Sequence, residues 1–553
     1  MKKQRKWKIL RESKIKNEKI EIEDIITAIL DNRGLKTKSE IASFLNPNLE
    51  EVTIASVGID KKQLEKTIKR IQKAIENKER IIVFGDYDVD GITGTAILWE
   101  VLYSLSPQVS PYIPHRVDEG YGLSVRGIEN VLQQFPDTKV IITVDNGIVA
   151  NDAVEFANKK GIHVIITDHH TVGEKVPDAF SIVHTTKLCG AGVAWMLSQE
   201  LKGKKDTQHL DLVALATVAD LVPLTGANRT ILKAALPYLR STMRIGLWEL
   251  FLEAGIKAED VDVYQIGHVI GPRLNAMGRM ESAMDSLRLL CTKDRVKAHM
   301  LAAKLGVTNK ERQLVTQSAA LHAIEHFRSD AKVKNLLFVA HDSYEEGVIG
   351  LVAGKLVEEY YRPAIVVSRG EKVSKASARS VAGFNIIEFI RSASQHLINA
   401  GGHPMAAGFT VETEKIVLLQ ELLEKLAEEQ LTDDSLTPIL KVDMEIPLSA
   451  VSVHLYDNLK QLGPFGMANP EPTFVSREVE VVDARAIGRD KNHLKMTISQ
   501  DNKPNIEAIA FGMGEYVQKL KPGQKVDVAF TIDENEWNGR KTLQLKVRDI
   551  LVN

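Results

Sequence analysis

Cysteine is nearly absent from this chain of 553 residues, which has only Cys189 and Cys291. Two cysteines so far apart exclude a disulfide framework and a cluster of thiolate metal ligands. Any metal must therefore be held by carboxylate oxygens and imidazole nitrogens. Those ligands suit manganese or magnesium better than structural zinc. Cys189 is interpreted as a core residue.

Long apolar runs are also missing. No segment approaches the roughly 18 apolar residues that a membrane span requires. The first residues, MKKQRKWKILRESK, lack the apolar stretch of a signal peptide. Aromatic residues make up only 6% of the chain, and there is no low-complexity tract. We therefore expect a globular protein of the cytoplasm with no membrane association.

The length exceeds what one hydrophobic core usually serves, so three or four domains are expected. The formal net charge of −2 conceals an asymmetry, because residues 1–20 contain nine Lys or Arg and two Glu, a charge of about +7. Such a basic arm can contact a polyanion. A solvated terminus explains it equally well.

Helical and strand patterns alternate between residues 51 and 230. The amphipathic segment KKQLEKTIKRIQKAIENKER runs into the short apolar strand IIVFGD, and SPYIPHR, KVIITVDNG and HVIITDHH repeat the strand pattern. Such alternation predicts a parallel sheet, in which ligands bind beyond the carboxyl ends of the strands. The fold class is therefore α/β and multidomain.

Four further segments complete the predicted organisation. Residues 1–50 form an N-terminal segment without an assigned role, and residues 231–330 form a helical connector. Residues 331–432 form a second α/β unit, in which the strands NLLFVA and AIVVS flank a helix. Residues 433–553 show short alternating segments typical of a small antiparallel barrel.

Three carboxylates occupy alternate positions after the first strand, Asp86, Asp88 and Asp90 in GDYDVDGITG. Like charges gathered so closely repel, and a hard divalent cation would supply the compensating charge. An acidic loop or a calcium site remains an alternative interpretation of this motif alone.

Two later strands end in similar residues. Asp145 follows VIITV, and Asp168, His169 and His170 follow HVIIT. Asp220 ends the helical segment DLVALATVAD, where capping of the following turn is an alternative role. Two divalent cations bound by these side chains would polarise a phosphate and activate water.

The motifs GDYDVDG, VDNG, TDHH and ATVAD, in this order, resemble the metal-binding motifs of the DHH phosphoesterase superfamily. The resemblance implies that Asp88 and Asp145 hold one cation. It implies that Asp90, Asp145, His169 and Asp220 hold the other, with Asp145 as the bridge. The cations expected from the resemblance are two Mn²⁺ or Mg²⁺ ions.

Two further roles follow from the same resemblance. His170 would lie beside the scissile phosphate, and Asp86 would act behind the ligands or as an additional ligand. The catalytic set therefore comprises Asp86, Asp88, Asp90, Asp145, His169, His170 and Asp220.

Within that superfamily the chain resembles the RecJ family. The motifs are PHRVDEGYGLS, LCGAGVAWML, VADLVPLTGANR, GPRLNAMGRM, KASARS, GGHPMAAGF and GPFGMANPEPTF. The resemblance covers nearly everything after residue 50. It implies a DHH domain (51–230), a DHHA1 domain (331–432) and an oligonucleotide-binding (OB) barrel (433–553).

The implied activity is 5′ to 3′ exonuclease action on single-stranded DNA in recombination and repair. The resemblance also implies a monomer whose protein partners are a single-stranded-DNA-binding protein and a helicase. The residues expected to contact DNA are Arg116, Arg273, Asn275, Arg279, Ser377, Arg379, Gly402 and His403. For any one of these arginines, a structural salt bridge is the alternative.

The barrel would grip single strands through a basic groove and stacking rings. The groove residues expected are Arg489, Lys491, His493 and Lys495. Phe511 and Trp537 are candidate stacking residues, with packing in the core as the alternative for each.

One pair departs from the family pattern: Tyr344 and Glu345 stand where many RecJ proteins have Trp-His. Two alternative functions stay open. The first is cleavage of short RNAs or cyclic dinucleotides, as in other branches of the superfamily. The second is a DNA-binding scaffold without activity, against which the intact ligand set argues.

Overall fold

The computed structural model describes residues 5–12, 20–115, 119–205, 207–328, 333–501, 505–537 and 539–552. The chain divides into two compact units. One is Asn48–Leu436, and the other combines Lys3–Pro47 with Thr437–Asn553. Within the described residues, no helix has both the length and the apolar character needed to cross a membrane.

The strands and helices are numbered in chain order. The strands are β1 (Lys6–Ile9), β2 (Arg80–Phe84), β3 (Val109–Tyr112), β4 (Thr138–Val144), β5 (His163–Asp168), β6 (Ser181–His184), β7 (Leu337–His341), β8 (Ala364–Ser368), β9 (Val373–Arg379), β10 (Asn399–His403), β11 (Ala406–Glu412), β12 (Ile439–Val442), β13 (Met444–Glu445), β14 (Phe474–Ile487), β15 (His493–Ser499), β16 (Ile506–Ala510), β17 (Lys525–Trp537) and β18 (Arg540–Val552). The helices are α1 (Ile22–Asn32), α2 (Lys38–Leu45), α3 (Ile54–Val57), α4 (Lys61–Glu76), α5 (Val89–Leu105), α6 (Val125–Gln134), α7 (Asn151–Lys159), α8 (Gly190–Lys202), α9 (Leu210–Ala219), α10 (Gly226–Arg240), α11 (Ile245–Ala254), α12 (Val263–Gln265), α13 (Gly271–Met280), α14 (Met284–Cys291), α15 (Arg295–Arg328), α16 (Ile349–Tyr360), α17 (Ile386–Arg391), α18 (Ile416–Gln430) and α19 (Val453–Lys460).

The first sheet has the order β3-β2-β4-β5-β6, and all of its strands are parallel. Alternate residues of each strand pack into two different hydrophobic clusters, one on each face of the sheet. On β2, Ile81 and Val83 face one cluster, whereas Ile82 and Phe84 face the other. Burial of both faces explains why these strands are continuously apolar. The predicted parallel sheet is confirmed.

Helices cover both faces of this sheet. On one face α5 packs against α8 and α9, and nearly every residue of the first three turns of α5 is buried. A helix that is apolar all round belongs inside a domain. The other face is covered by α6 and α7, whose Ile128, Val131 and Val154 join the second cluster.

The connector is helical and ends in the long helix α15. The C-terminal part of α15 packs through Ala319, Ala323 and Phe327 against a second sheet. That sheet has the order β10-β11-β9-β8-β7, in which only β7 and β8 run parallel. The predicted second α/β domain is confirmed.

The other unit contains the barrel. Its sheet runs β13-β14-β15-β16-β18-β17, and β14 also pairs with β17 and closes the ring. The segment that had no assigned role belongs here: β1 pairs in parallel with β12. Ile25, Ile29 and Phe44 of α1 and α2 share the barrel core. The predicted barrel is confirmed, although it is not wholly antiparallel, because β16 pairs in parallel with β18 and β13 with β14.

Trp7 on β1 should stabilise this unit, because its Nε1 donates a 2.8 Å hydrogen bond to Asp549 Oδ2 and its ring packs on Val442. We expect Trp7→Ala to lower the free energy of unfolding by about 2 kcal/mol. Trp7→Phe keeps a ring and loses the donor, so it should cost about 1 kcal/mol. Calorimetric unfolding checks both. A Trp7→Ala transition at the wild-type temperature would contradict this assignment.

Candidate metal centre

The carboxyl ends of neighbouring parallel strands bring the predicted ligands together. Asp86 follows β2, Asp145 follows β4, and His169 follows β5. Asp90 lies in the first turn of α5, and Asp220 lies at the C-terminal end of α9. Asp86, Asp90 and Asp145 are each at most 2% exposed, so burial is the main physical constraint on this cluster.

Asp90 is held by the start of α8. Its Oδ2 and Oδ1 accept hydrogen bonds of 2.6 Å from the backbone N–H groups of Gly190 and Ala191. The N-terminus of a helix stabilises an anion through its free N–H groups and its dipole. Residue 190 must be glycine, because a Cβ there would lie 2.5 Å from the Cβ of Asp145. The motif LCGAG therefore serves the carboxylate cluster.

Asp88 has a local role as well as a proposed ligand role. It caps α5 by accepting a 3.1 Å hydrogen bond from Gly91 N–H. Asn275 reinforces the same turn, because its Oδ1 accepts a 2.9 Å hydrogen bond from Val89 N–H. Asn275, predicted to contact DNA, thus lies beside the metal loop and orders it.

Asp145 adopts a left-handed conformation with φ of +63°. Its backbone N–H donates to Thr167 O at 3.0 Å, which holds the residue at the strand end. Among the described residues, neither its Oδ1 nor His169 Nε2 has a hydrogen-bond partner, although both are buried. These two atoms lie 3.0 Å apart. Two buried acceptors facing the same space fit a bound cation.

Ligand atoms form three overlapping groups, each within 4.8 Å. One group contains Asp86, Asp88 and Asp145, and another contains Asp90, His169 and Asp220. Asp145 also groups with His169 and His170. Asp145 thus groups with Asp88 on one side and with His169 on the other, as expected of a bridging ligand. The individual ligand assignments remain predictions.

Burial and mutual repulsion raise the pKa values of the carboxyls. Burial, and then Asp90, raises the pKa of Asp88, and the same causes raise that of Asp145 well above its usual value. Burial with Asp90 and Asp88 raises the pKa of Asp220 to about 9. Burial lowers the pKa of His169, which favours the neutral imidazole that binds metals. The cluster therefore favours occupation by cations.

His170 is oriented by Asp168, which the strand pattern grouped with the candidate ligands and to which the family resemblance gave no role. Asp168 Oδ1 lies 2.7 Å from His170 Nδ1 and also accepts backbone hydrogen bonds from His169 and His170. Although burial acts in the opposite direction, this bond raises the pKa of His170. On the other side of the ring, His170 Nε2 lies 3.1 Å from the hydroxyl of Tyr121. Asp168 is therefore a positioning residue. Its place at the end of β5 is the sequence feature that could have indicated this role.

Tyr121 was also not singled out, although it lies in the motif GYG. Although 54% of the residue's surface is exposed, its hydroxyl lies 3.1 Å from His170 Nε2, and desolvation of that hydroxyl together with nearby carboxylates raises its pKa. Its ring makes an edge contact with Tyr87, at 6.1 Å between centroids. Tyr121 therefore borders the entrance to the cluster.

The second α/β domain contributes to the same site. The ring of His403 lies 6.2 Å from that of His170, nearly parallel to it. Nearby, at the end of β9, Arg379 donates a 3.1 Å hydrogen bond to Ser377 Oγ on the same strand. A Cβ at Gly350 would approach the Arg379 guanidinium to 2.8 Å, so glycine leaves room for it. Gly402 has φ of +140°, which favours glycine in this hairpin.

Three residues predicted to contact DNA remain: Arg116, Arg273 and Arg279. Arg116 lies outside the described residues. Arg273 donates to Glu253 Oε2 at 2.6 Å, so it has a salt bridge of the kind considered as its alternative role. Arg279 donates to Gly347 O at 3.3 Å and links the connector to the second α/β domain.

In the barrel, Arg489 and Lys491 are exposed, and Lys495 pairs with Glu507 at 2.9 Å. Lys495 and Arg540 line a groove of about 710 Å³. Phe511 is 57% exposed and makes an edge contact with His493, so it is not a core residue. The side chain of Trp537 lies outside the described set.

Tyr344, which departs from the family pattern, lies in the second α/β domain. It is buried, and its hydroxyl lies 2.8 Å from His322 Nδ1.

Comparison with known families assigns the three domains. Residues 80–217 match the DHH family, N-terminal domain; residues 333–429 match the DHHA1 domain; and residues 442–549 match the RecJ OB domain. These segments correspond to the parallel sheet, the mixed sheet and the barrel.

Relatives extend the match over almost the whole chain. The single-stranded-DNA-specific exonuclease RecJ of Bacillus subtilis is 36% identical over 99% of this chain and 71% of its own length. The crystal structure of Thermus thermophilus RecJ with Mn²⁺ superposes with a TM-score of 0.82 and 28% identity, covering 96% of this chain and 76% of that one. The corresponding structure with Mg²⁺ has a TM-score of 0.76 and 27% identity, covering 96% and 75%.

The close approach at Gly190 gives a test of the cluster. We expect Gly190→Ala to push Asp145 away from His169 and to weaken Mn²⁺ binding by about 10- to 100-fold. Titration calorimetry on metal-stripped protein measures this. Gly354→Ala in α16 is the matched control, since no atom lies within 4 Å of a Cβ there. Mn²⁺ binding by Gly190→Ala at wild-type strength would contradict the proposed cluster.

Proposed function

Because this chain belongs to the RecJ family, we propose that it is an exonuclease specific for single-stranded DNA. It removes mononucleotides from the 5′ end with two divalent cations, Mn²⁺ or Mg²⁺. The observation that carries the proposal is the pair Asp145 Oδ1 and His169 Nε2, which are buried 3.0 Å apart and have no hydrogen-bond partner among the described residues. A metal-dependent phosphodiesterase needs such a site, whereas a DNA-binding scaffold without activity does not.

The chain supplies positions and charges for hydrolysis of the terminal phosphodiester. Two divalent cations, when bound, polarise the scissile phosphate and activate water. Asp145 borders both cation positions, and Asp90 is fixed by two N–H donors of α8. His170, whose Nδ1 lies 2.7 Å from Asp168 Oδ1, would donate a hydrogen bond from its Nε2 to a phosphate oxygen. These groups are ordered before substrate binds, which favours the transition state.

The strand would be gripped by its backbone. Ser377, Arg379 and Gly402 lie in the second α/β domain, whose His403 reaches His170. Arg379 is suited to the 5′ terminal phosphate, because a guanidinium can bind phosphate bidentately. Backbone grip and stacking tolerate any base, so no sequence specificity is expected. We expect a duplex to be excluded, because only one strand would be admitted between the two α/β domains.

The barrel favours a polymeric substrate over a dinucleotide. Phe511 is exposed, and Lys495 and Arg540 line a groove. Exposed rings and cations are the elements that bind single strands. We further propose that the enzyme acts as a monomer in the cytoplasm, in DNA recombination and repair. Its protein partners would be a single-stranded-DNA-binding protein and a helicase.

The decisive assay uses long single-stranded DNA labelled at either end, with Mn²⁺, and follows product length against time. We expect immediate release of labelled mononucleotide from the 5′ end only, and no release with EDTA. Asp145→Ala should lower the rate by at least about a thousandfold while leaving strand binding largely intact. Asp152→Ala, an exposed carboxylate on α7, is the control.

Three results would contradict the proposal. Hydrolysis by Asp145→Ala at the wild-type rate would remove the metal mechanism. Inert DNA with rapid cleavage of cyclic dinucleotides or short RNA would move the chain to another branch of the superfamily. Binding of single-stranded DNA without any cleavage would indicate that the chain is a DNA-binding scaffold without activity.

Arg379→Ala tests recognition of the 5′ phosphate. With 5′-phosphorylated DNA we expect the rate of this variant to fall by roughly 10- to 100-fold, because a charge-assisted hydrogen bond is lost. With 5′-hydroxyl DNA the rate should change little. The control is Arg369→Ala, an exposed arginine of the same domain. If Arg379→Ala still prefers the phosphorylated end, the phosphate is bound elsewhere.

A further inference from the structure

A second charged site lies at the opposite edge of the parallel sheet. A groove of about 400 Å³ runs between α4 and the start of β5. Lys66, Lys69, Lys73 and Arg70 line it on one side, and His163 and Phe180 line it on the other. Its volume is within the range of small-molecule sites. The metal ligands occupy the carboxyl ends of the strands, whereas His163 begins its strand.

The lysines of this groove have no counterion in the part of the chain that is described. Lys66, Lys69 and Lys73 are exposed, and no carboxylate there pairs with any of them. They lie three and four residues apart, on one face of α4. Glu79 is the single acidic residue lining the groove, and it pairs with Arg70 at 2.7 Å. The groove therefore has an excess of positive charge.

Arg70 points to a ligand. Its side chain is only 8% exposed. Its Nε donates to His163 Nδ1 at 2.7 Å, and its Nη2 pairs with Glu79. Its buried Nη1 has no hydrogen-bond partner among the described residues. A buried guanidinium donor without a partner is costly, and an anionic oxygen in the groove would satisfy it.

The groove also offers an aromatic surface. The rings of His163 and Phe180 stack with 4.6 Å between their centroids and 17° between their planes. Lys66 Nζ lies 4.6 Å from the centroid of Phe180. A ring pair beside cations that have no carboxylate partner can recognise a planar aromatic group that carries a phosphate.

We propose that this groove binds a free nucleotide, with its base against His163 and Phe180 and its phosphate among the cations of α4. Burial, followed by the charge of Arg70, lowers the pKa of His163, consistent with a positive field in the groove. The site is separate from the metal centre and does not depend on the proposed exonuclease activity.

A free nucleotide fits better than a DNA strand. From Lys66 to Lys73 the helix advances about 10 Å, which equals only about three base steps of a B-form strand at about 3.4 Å of axial rise each. Domains that bind single strands usually engage about 4 to 16 nucleotides. The row of lysines from Lys66 to Lys73 is thus too short to bind a DNA strand along its backbone, and the ring pair suits a single base.

Titration calorimetry with AMP in EDTA tests the proposal while the metal centre carries no cation. Every protein in this experiment also carries Arg379→Ala, so that AMP binding at the proposed 5′-phosphate site does not add to the measured heat. We expect saturable binding of AMP that is tighter than that of inorganic phosphate or adenosine. Lys66→Glu with Lys73→Glu should raise the dissociation constant about tenfold or more. Phe180→Leu should remove the advantage of AMP over phosphate.

The matched control is Lys297→Glu with Lys310→Glu, which makes the same charge change at exposed positions of α15. Retained thermal unfolding of each variant verifies folding. Absence of AMP binding, or binding unchanged in the Lys66/Lys73 variant, would overturn the proposal. An oligonucleotide or an acidic peptide that needs these lysines, while AMP does not bind, would overturn it in favour of a macromolecular partner.

Discussion

Repulsion among buried carboxylates is the constraint around which the parallel-sheet domain is organised. Asp86, Asp90 and Asp145 lie at the carboxyl ends of adjacent strands with almost no access to solvent. Left alone, such a cluster would protonate or separate, and the raised pKa of Asp145 expresses that tendency. The fold resists separation by fixing the backbone around it. The two N–H donors at the start of α8 bind Asp90, and β5 holds the backbone of Asp145.

This constraint explains why small and polar residues surround the cluster. Gly190 allows α8 to approach within contact of Asp145, and any larger residue would separate the ligands. Asn275 brings the connector against the first turn of α5. Gly278 has a similar role, because a Cβ there would lie 2.4 Å from Tyr87 O. The connector helices therefore support the metal loop, although they supply no ligand to the groups described.

Much of this organisation was predictable, because strand periodicity places each polar residue after VIITV or HVIIT at the same sheet edge. Contacts between distant segments were not. The pairing of β1 with β12 joins Lys6–Ile9 to Ile439–Val442, segments far apart in the sequence, and neither strand has a pattern that specifies its partner. The hydrogen bond between His170 and Tyr121 joins two segments that the sequence pattern does not relate to each other. The salt bridge of Arg273 with Glu253 depends on helix packing, so spacing alone could not separate it from a DNA contact.

The same alternation of helix and strand gives the two edges of the sheet opposite character. Helices that follow strands begin at the carboxyl edge, so the N-termini of α5 and α8 meet the carboxylates and offset part of their charge. Helix α4 precedes β2, so its C-terminal end lies at the amino edge, where the helix dipole favours cations such as Lys73. The net charge of −2 hides this separation. An acidic edge that needs cations and a basic edge that needs anions are two results of one topology, and each creates a binding site for the opposite charge.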